Sequence, residues 1–269
     1  MATLSHIAVH PIKGLDPTGL DRVAITDVGG LAGDRAYGIV DENGEYVNGK
    51  RTAEVHRLDA AFDLDAGRCR LQVRGEGDAE DFHLHRDRDP LEAWLSAYFD
   101  MPVGLEAGPG GSQTDGAVYV DEARTGPTLI GAATIREVAS WYDGIDFEGM
   151  RLRLRPNLVI EGVPPFREDE LVADGGRRVR IGDVSMEGVA PVPRCVVPTR
   201  DPHTGEVYEG FRETFLEKRE ETLPERIDRE ALNGNLFSLM AAVRIPEGDR
   251  DGELEIGDDV EGLDIAVEG

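Results

Sequence analysis

Apolar residues in this chain come in short alternating runs, each closed by a glycine-rich turn, and this pattern restricts the fold to strands far more than to long helices. Ile7 and Val9 alternate into His10-Pro11-Ile12-Lys13-Gly14, and Val23 and Ile25 alternate before Gly29-Gly30-Leu31-Ala32-Gly33, whose glycines tolerate φ > 0. Tyr37-Gly38-Ile39-Val40 and Tyr46-Val47 flank Asp41-Glu42-Asn43-Gly44-Glu45, where Asn-Gly predicts a hairpin. A second hairpin is predicted where Phe62 and Leu64 precede Asp65-Ala66-Gly67 and Cys69, Leu71 and Val73 follow, which makes Cys69 a strand residue.

Helical periodicity is confined to a few places. Asp89 caps and Pro90 opens a helix whose apolar face is Leu91, Trp94, Leu95 and Tyr98, and Thr134 caps another that bears Ile135, Val138 and Trp141. Later strands are predicted at Leu158-Val159-Ile160, Val179-Arg180-Ile181 and Val184-Ser185-Met186, while the charged segment from Glu213 to Arg229 reads as a helix or as a mobile lid. Apolar residues are few between Gly104 and Gly126, around Pro109-Gly110-Gly111-Ser112, and a domain boundary is expected there, between residues 1–108 and 109–269. The fold class is β-rich α+β.

Charge narrows the partners. The chain carries 29 Lys and Arg against 54 Asp and Glu, a formal net charge of −25, and its lysines are Lys13, Lys50 and Lys218. Surplus carboxylates with arginine preferred to lysine form a pattern of halophilic proteins that work in a salt-saturated cytoplasm. Such a surface repels nucleic acid and anionic lipid, so neither is expected as a main partner. A phosphate-bearing cofactor would need a local basic cluster to overcome the same field. No apolar run approaches the roughly 18 residues of a membrane span, and Met1-Ala2-Thr3-Leu4-Ser5-His6 opens no secretory signal. With only Cys69 and Cys195 there is no disulfide framework, and a cytoplasmic location is expected.

Cys195 stands in Pro193-Arg194-Cys195-Val196-Val197-Pro198-Thr199-Arg200-Asp201-Pro202-His203-Thr204-Gly205, between an arginine and a short apolar run. That setting suits a thiolate that binds a soft metal or carries sulfur, and it equally suits a buried apolar cysteine. Two cysteines cannot build a tetracysteine zinc or iron–sulfur site, so any metal at Cys195 must bring its other ligands. Arg155-Pro156-Asn157 enters an apolar strand, where alternation would put Arg155 and Asn157 on one face to grip a planar ring or a phosphate. Lys13 and Arg35 each lie beside a glycine-bearing turn whose N–H groups can complete an anion nest, although ordinary surface pairing explains each of them as well.

Four of these segments stand in the order found in one family: His10-Pro11-Ile12-Lys13-Gly14, Leu31-Ala32-Gly33-Asp34-Arg35, Arg155-Pro156-Asn157-Leu158-Val159-Ile160, and Arg194-Cys195 followed by Asp201-Pro202-His203-Thr204-Gly205. The chain resembles the MOSC family, named for the C-terminal domain of molybdenum cofactor sulfurase, and within it the members with an N-terminal MOSC β-barrel domain, such as the mitochondrial amidoxime-reducing component family. The resemblance continues to Asn235-Leu236-Phe237 and Leu254-Glu255-Ile256-Gly257-Asp258. It implies an N-terminal MOSC β-barrel domain over 1–108, then a MOSC β-barrel domain with a few helices over 109–269.

It also implies a molybdenum cofactor (Mo-molybdopterin) whose metal takes a thiolate from Cys195. Lys13, Gly14 and Arg35 would hold the terminal phosphate, Arg155, Asn157 and Arg194 would contact the pterin or line its groove, and Thr199 belongs to the same binding set. The family usually has serine where this chain has Gly14, which removes a hydroxyl donor. Pro193 replaces a small polar residue of the amidoxime-reducing relatives. The implied activity is two-electron reduction of small N-hydroxylated substrates, molybdenum cycling between Mo(VI) and Mo(IV) as oxygen leaves as water or hydroxide. No flavin or iron–sulfur pattern is present and no use of pyridoxal phosphate is expected, so an external electron-transfer protein is implied, ferredoxin-like or a cytochrome or flavin reductase. A sulfur carrier with a Cys195 persulfide and a non-catalytic molybdopterin carrier are the alternatives.

Overall fold

The computed structural model describes residues 1–107, 126–173, 176–224, 227, 229–230 and 232–263. In chain order its first part holds β1 (Ala2–Val9), β2 (Ile12–Lys13), β3 (Thr18–Leu20), β4 (Arg22–Ala24), β5 (Tyr37–Asp41), β6 (Leu58–Asp63), β7 (Arg68–Val73), β8 (Glu76–His83), α1 (Arg88–Phe99) and β9 (Val103–Ala107). Then come β10 (Thr128–Gly131), α2 (Ala132–Ala139), α3 (Phe147–Leu154), β11 (Leu158–Glu161), β12 (Arg178–Ile181), β13 (Val184–Pro193), α4 (Phe211–Glu221), β14 (Ser238–Arg244), β15 (Glu253–Glu255) and β16 (Asp259–Glu261). The expected boundary between residues 108 and 109 lies outside the described residues.

A barrel closes in the order β1, β11, β10, β14, β13, β12, β16 and back to β1, because β1 pairs antiparallel with β11 on one side and with β16 on the other. Closure leaves no free edge around the ring. Along β1 the inward positions change phase. Ala2 and Leu4 lie in the barrel core, Ser5 is the extra residue of a bulge against β11, and Ile7 and Val9 then take the inward side. A one-residue slip without that bulge would turn Ile7 and Val9 outward.

A second β-rich body stands beside the barrel. Its sheet β2-β5-β9 and its meander β6-β7-β8 share a core of Ile12, Ile39, Leu58, Leu71, Leu91 and Leu95. Both expected hairpins are present: Val40 bridges Tyr46 across the Asn43-Gly44 turn, and Phe62 pairs with Cys69 between β6 and β7. Helix α1 begins at Arg88, one residue before the expected cap Asp89, and Asp87 takes the N-cap place with its carboxylate accepting the His83 N–H at 2.8 Å. Thr134 is likewise no cap, because Gly131 holds that position in α2. The segment read as a helix or lid contains α4, which buries Phe211, Phe215 and Arg219; residues 225, 226 and 228 lie outside the described residues.

Candidate functional site

Strand β13 delivers Arg194 and Cys195. Its pairing with β14 shifts register between Pro191 and Pro193, and facing that shift β14 holds buried Met240 at φ 77°. The Arg194 N–H then donates to the Phe237 carbonyl at 2.7 Å and its Nη2 to the Leu154 carbonyl at 3.1 Å. Cys195 is half-buried, and the Val197 N–H points to its Sγ at 3.5 Å. A 3-10 turn, Val197–Thr199, follows. Thr199 is buried there and its hydroxyl donates to the Val196 carbonyl at 2.7 Å, so it shapes the turn. Asp201 Oδ1 accepts the His203 and Thr204 N–H groups, and Gly205, at φ 78°, brings the loop so close to the Ala53 carbonyl that a Cβ would sit 2.7 Å from that oxygen.

Arg155 and Asn157 do not alternate along a strand as their spacing suggested. The Arg155 N–H still closes α3 by donating to the Arg151 carbonyl, and the residue caps that helix at φ 57°, ψ 49°. Its Nη2 donates to the Leu15 carbonyl at 2.7 Å. Asn157 is wholly buried. Its Oδ1 accepts the Thr128 N–H at 3.1 Å, the Thr128 hydroxyl at 3.2 Å and Arg35 Nη1 at 3.4 Å, while Nδ2 donates to the Ala8 carbonyl at 3.0 Å. It is a scaffold for Arg35.

Arg35 is also left-handed, at φ 49°. Its N–H donates to the His10 carbonyl, and its guanidinium pairs with buried Asp34, whose Oδ1 accepts the His10 N–H at 2.8 Å. Lys13 leaves β2 with its ammonium 4.4 Å from the Tyr46 ring centroid, and Gly14, at φ 98°, lies in the lining of a cleft. A serine at position 14 would be strained in that backbone. The cleft runs between the two bodies, with Asp16 and His56 on one wall and Arg153, Arg155 and Arg200 on the other.

Three arginines share one field. Burial, then Arg35, with a smaller push from Arg194, holds the Arg155 guanidinium down at about 10, against the pull of Asp16 and Asp34. Burial lowers Arg194 to about 10 too, opposed by Cys195 and assisted by Arg35. His10 is held neutral, at about 3, by burial and by Arg155. Burial alone would raise Asp34, but Arg35 and the bonds from His10 outweigh it and bring the carboxyl to about 2. Arg35, Arg155, Asn157, Arg194 and Cys195 therefore form one cluster.

Sequence reasoning missed Asp34, His10, His56, Arg153 and Arg200. Asp34 carried a signal as the acid beside Arg35 in a glycine turn, and His10 as the first residue of the His10-Pro11-Ile12-Lys13-Gly14 segment; His56, Arg153 and Arg200 meet from segments far apart in sequence. Among the described residues no group of three His, Cys, Asp or Glu can hold a metal ion. A soft metal at Cys195 must arrive with most of its ligands in place, and the buried, unpartnered Nε of Arg194 beside that thiol suits an anionic group there. The residues present thus fit a cofactor that carries its own donor set and negative charge.

Residues 1–100 match the family model described as MOSC N-terminal beta barrel domain, and residues 132–261 match the MOSC domain. A stretch of 51 residues is 45% identical to the Mitochondrial amidoxime reducing component 2 of Rattus norvegicus, covering 19% of this chain and 14% of that protein.

Proposed function

This chain belongs to the MOSC family, with both the N-terminal β-barrel domain and the MOSC domain, and from that premise we propose that it binds the molybdenum cofactor and acts as an oxidoreductase on small N-hydroxylated substrates. The observation that carries this reading is the cluster of Arg35, Arg155 and Arg194, with Arg194 beside the half-buried thiol of Cys195. When bound, the cofactor would supply a two-electron redox centre that no side chain of this protein can replace.

The residues' tasks follow from their surroundings. Cys195 would present its sulfur to the metal, with the Val197 N–H pointing at that sulfur and Arg194 beside it in the chain. Arg35 and Lys13 would meet the phosphate, Asp34 and Asn157 holding the Arg35 guanidinium in place. Arg155 would face the pterin from the end of α3, anchored to Leu15. Thr199 and Asn157 would serve by position, since their polar atoms are already committed. Electrons would come from a separate electron-transfer protein.

Sulfur carriage by a Cys195 persulfide is the second reading, favoured by the partial exposure of that thiol. Protein purified from a host that makes the cofactor separates the two. Stoichiometric molybdenum and pterin with turnover of an amidoxime supports the reductase, metal without turnover leaves a carrier, and a metal-free protein with labile sulfur on Cys195 overturns the proposal.

A further inference from the structure

The cleft between the two bodies has charge of the opposite sign to the molecule around it. In a chain of net charge −25 its walls carry His56, Arg153, Arg155 and Arg200. Two carboxylates face them and both are engaged. Asp16 accepts the Ala60 N–H at 3.0 Å and pairs with Arg74, and Asp201 closes its own turn through Oδ1 while its Oδ2 lies 3.5 Å from Arg153.

The donors on these walls are fixed but not used up. Arg153 is pinned to the Pro198 and Arg200 carbonyls, and Arg200 to the Gly205 carbonyl at 3.0 Å. Carbonyl partners orient a guanidinium without cancelling its charge. Arg153 Nε and Arg200 Nε are buried without a hydrogen-bond partner, and His56, only 9% exposed, lies with Nε2 against the Gly49 backbone. A buried donor left in this state is costly unless something accepts from it. Lys13 and Arg35, which the family resemblance assigns to the cofactor's phosphate, are not among the lining residues.

We infer that this cleft is an oxyanion-binding subsite, in which Arg155 and Arg200 clamp a phosphate or carboxylate group with the His56 ring beside it. The anion is an acidic group on the substrate, since Lys13 and Arg35 are the residues assigned to the cofactor's phosphate. Only that source rests on the molybdenum reading; the subsite itself does not.

Burial, then Arg155, with a further push from Arg200, holds the His56 ring below its ordinary value, against Asp201 and the Gly49 backbone. An anion between those arginines reverses their effect and lets the ring take up a proton. Affinity therefore rises as pH falls.

Sulfate tests this cleanly, because its charge is constant across the titration range of histidine. Cofactor-free full-length protein, titrated calorimetrically at fixed KCl, is expected to bind sulfate saturably and more tightly at about pH 6 than at about pH 8. Arg200→Gln should weaken binding by about tenfold or more, with Arg200→Lys recovering part of it. His56→Gln should remove the pH dependence, a change that mere loosening of the loop would not produce. Absence of saturable sulfate binding, or identical affinity in Arg200→Gln with an unchanged pH slope in His56→Gln, would overturn the inference. In cofactor-loaded protein, retained sulfate binding supports the substrate as the source, and exclusion of sulfate, which would put the cofactor in the cleft, overturns that assignment. A chain that binds sulfate but never takes cofactor removes the molybdenum reading and leaves the subsite standing.

Discussion

Arginine in a left-handed backbone is a conformation glycine would relieve, yet both Arg35 and Arg155 adopt it. Such strain costs about 1–2 kcal/mol per residue and persists where the side chain is needed. Arg155→Ala keeps the strain and loses the bond to Leu15, whereas Arg155→Gly loses only the bond; guanidinium chloride melts should find the glycine variant more stable than the alanine variant by about 1 kcal/mol, with bound pterin reduced in both. Equal stability of the two would contradict the helix-cap geometry. The two thiols differ as sharply. Burial, with Asp81 nearby, pushes Cys69 up to about 12, so iodoacetamide at about pH 8 should label Cys195 and leave Cys69 untouched until the protein unfolds. The sequence showed Cys69 as a strand residue through its alternation with Leu71, and it marked Cys195 by its isolation. It misjudged Arg155, because the helix that ends there leaves no apolar period strong enough to be seen before Pro156.

The short elements around the barrel are held by buried polar contacts, and one of these makes stability depend on pH. The Thr134 hydroxyl accepts the Phe166 N–H at 2.7 Å and donates to Glu168 Oε2 at 2.9 Å, which is why this threonine sits inside α2 instead of capping it. Glu168 is 1% exposed, and burial, reinforced by Asp169, raises its carboxyl to about 8. The folded state thus binds a proton that the unfolded state has released, so between about pH 4.5 and pH 8 this group lowers stability as pH rises, by at most a few kcal/mol. Glu168→Gln, neutral throughout, should raise the melting temperature at about pH 8 and change it little at about pH 4.5; the same shift at both pH values would show that the carboxyl is not titrating. Nothing in the sequence distinguished Glu168, or the buried Asp169 and Glu170 beside it, from the exposed acids elsewhere in the chain, because their burial depends on β10, β13 and β14 closing over them. Gly205 was legible as a turn residue, but its approach to the Ala53 carbonyl was not, since that contact joins two distant segments.

Across the whole molecule the excess of 54 acidic over 29 basic side chains outweighs any single ion pair. Exposed arginines already pair with carboxylates, as in Arg180 with Glu261, Arg136 with Glu161, and Arg178 and Arg244 with Glu187. Such exposed pairs contribute little, so salt has little to weaken there, whereas the unpaired surplus repels across the surface. Screening lengths shrink from about 10 Å at 0.1 M to about 3 Å at 1 M, and the melting temperature should climb through a KCl series to about 3 M; a flat series, or one matched by an uncharged osmolyte, would defeat this. That property was readable from composition alone, as the β-rich class was from the alternating runs. Barrel closure was not, because Ala2 meets Val260 across almost the entire sequence. The seam also sets an order of events during synthesis. At about 5–20 residues per second, β1 leaves the ribosome on the order of ten seconds or more before β16 exists, and until then β1 and β12 each wait with an open edge. A chain stalled short of residue 259 would already hold Arg194 and Cys195 yet still offer two unzipped strands to any other unfinished copy nearby, so three late residues decide whether the ring shuts on itself or on a neighbour.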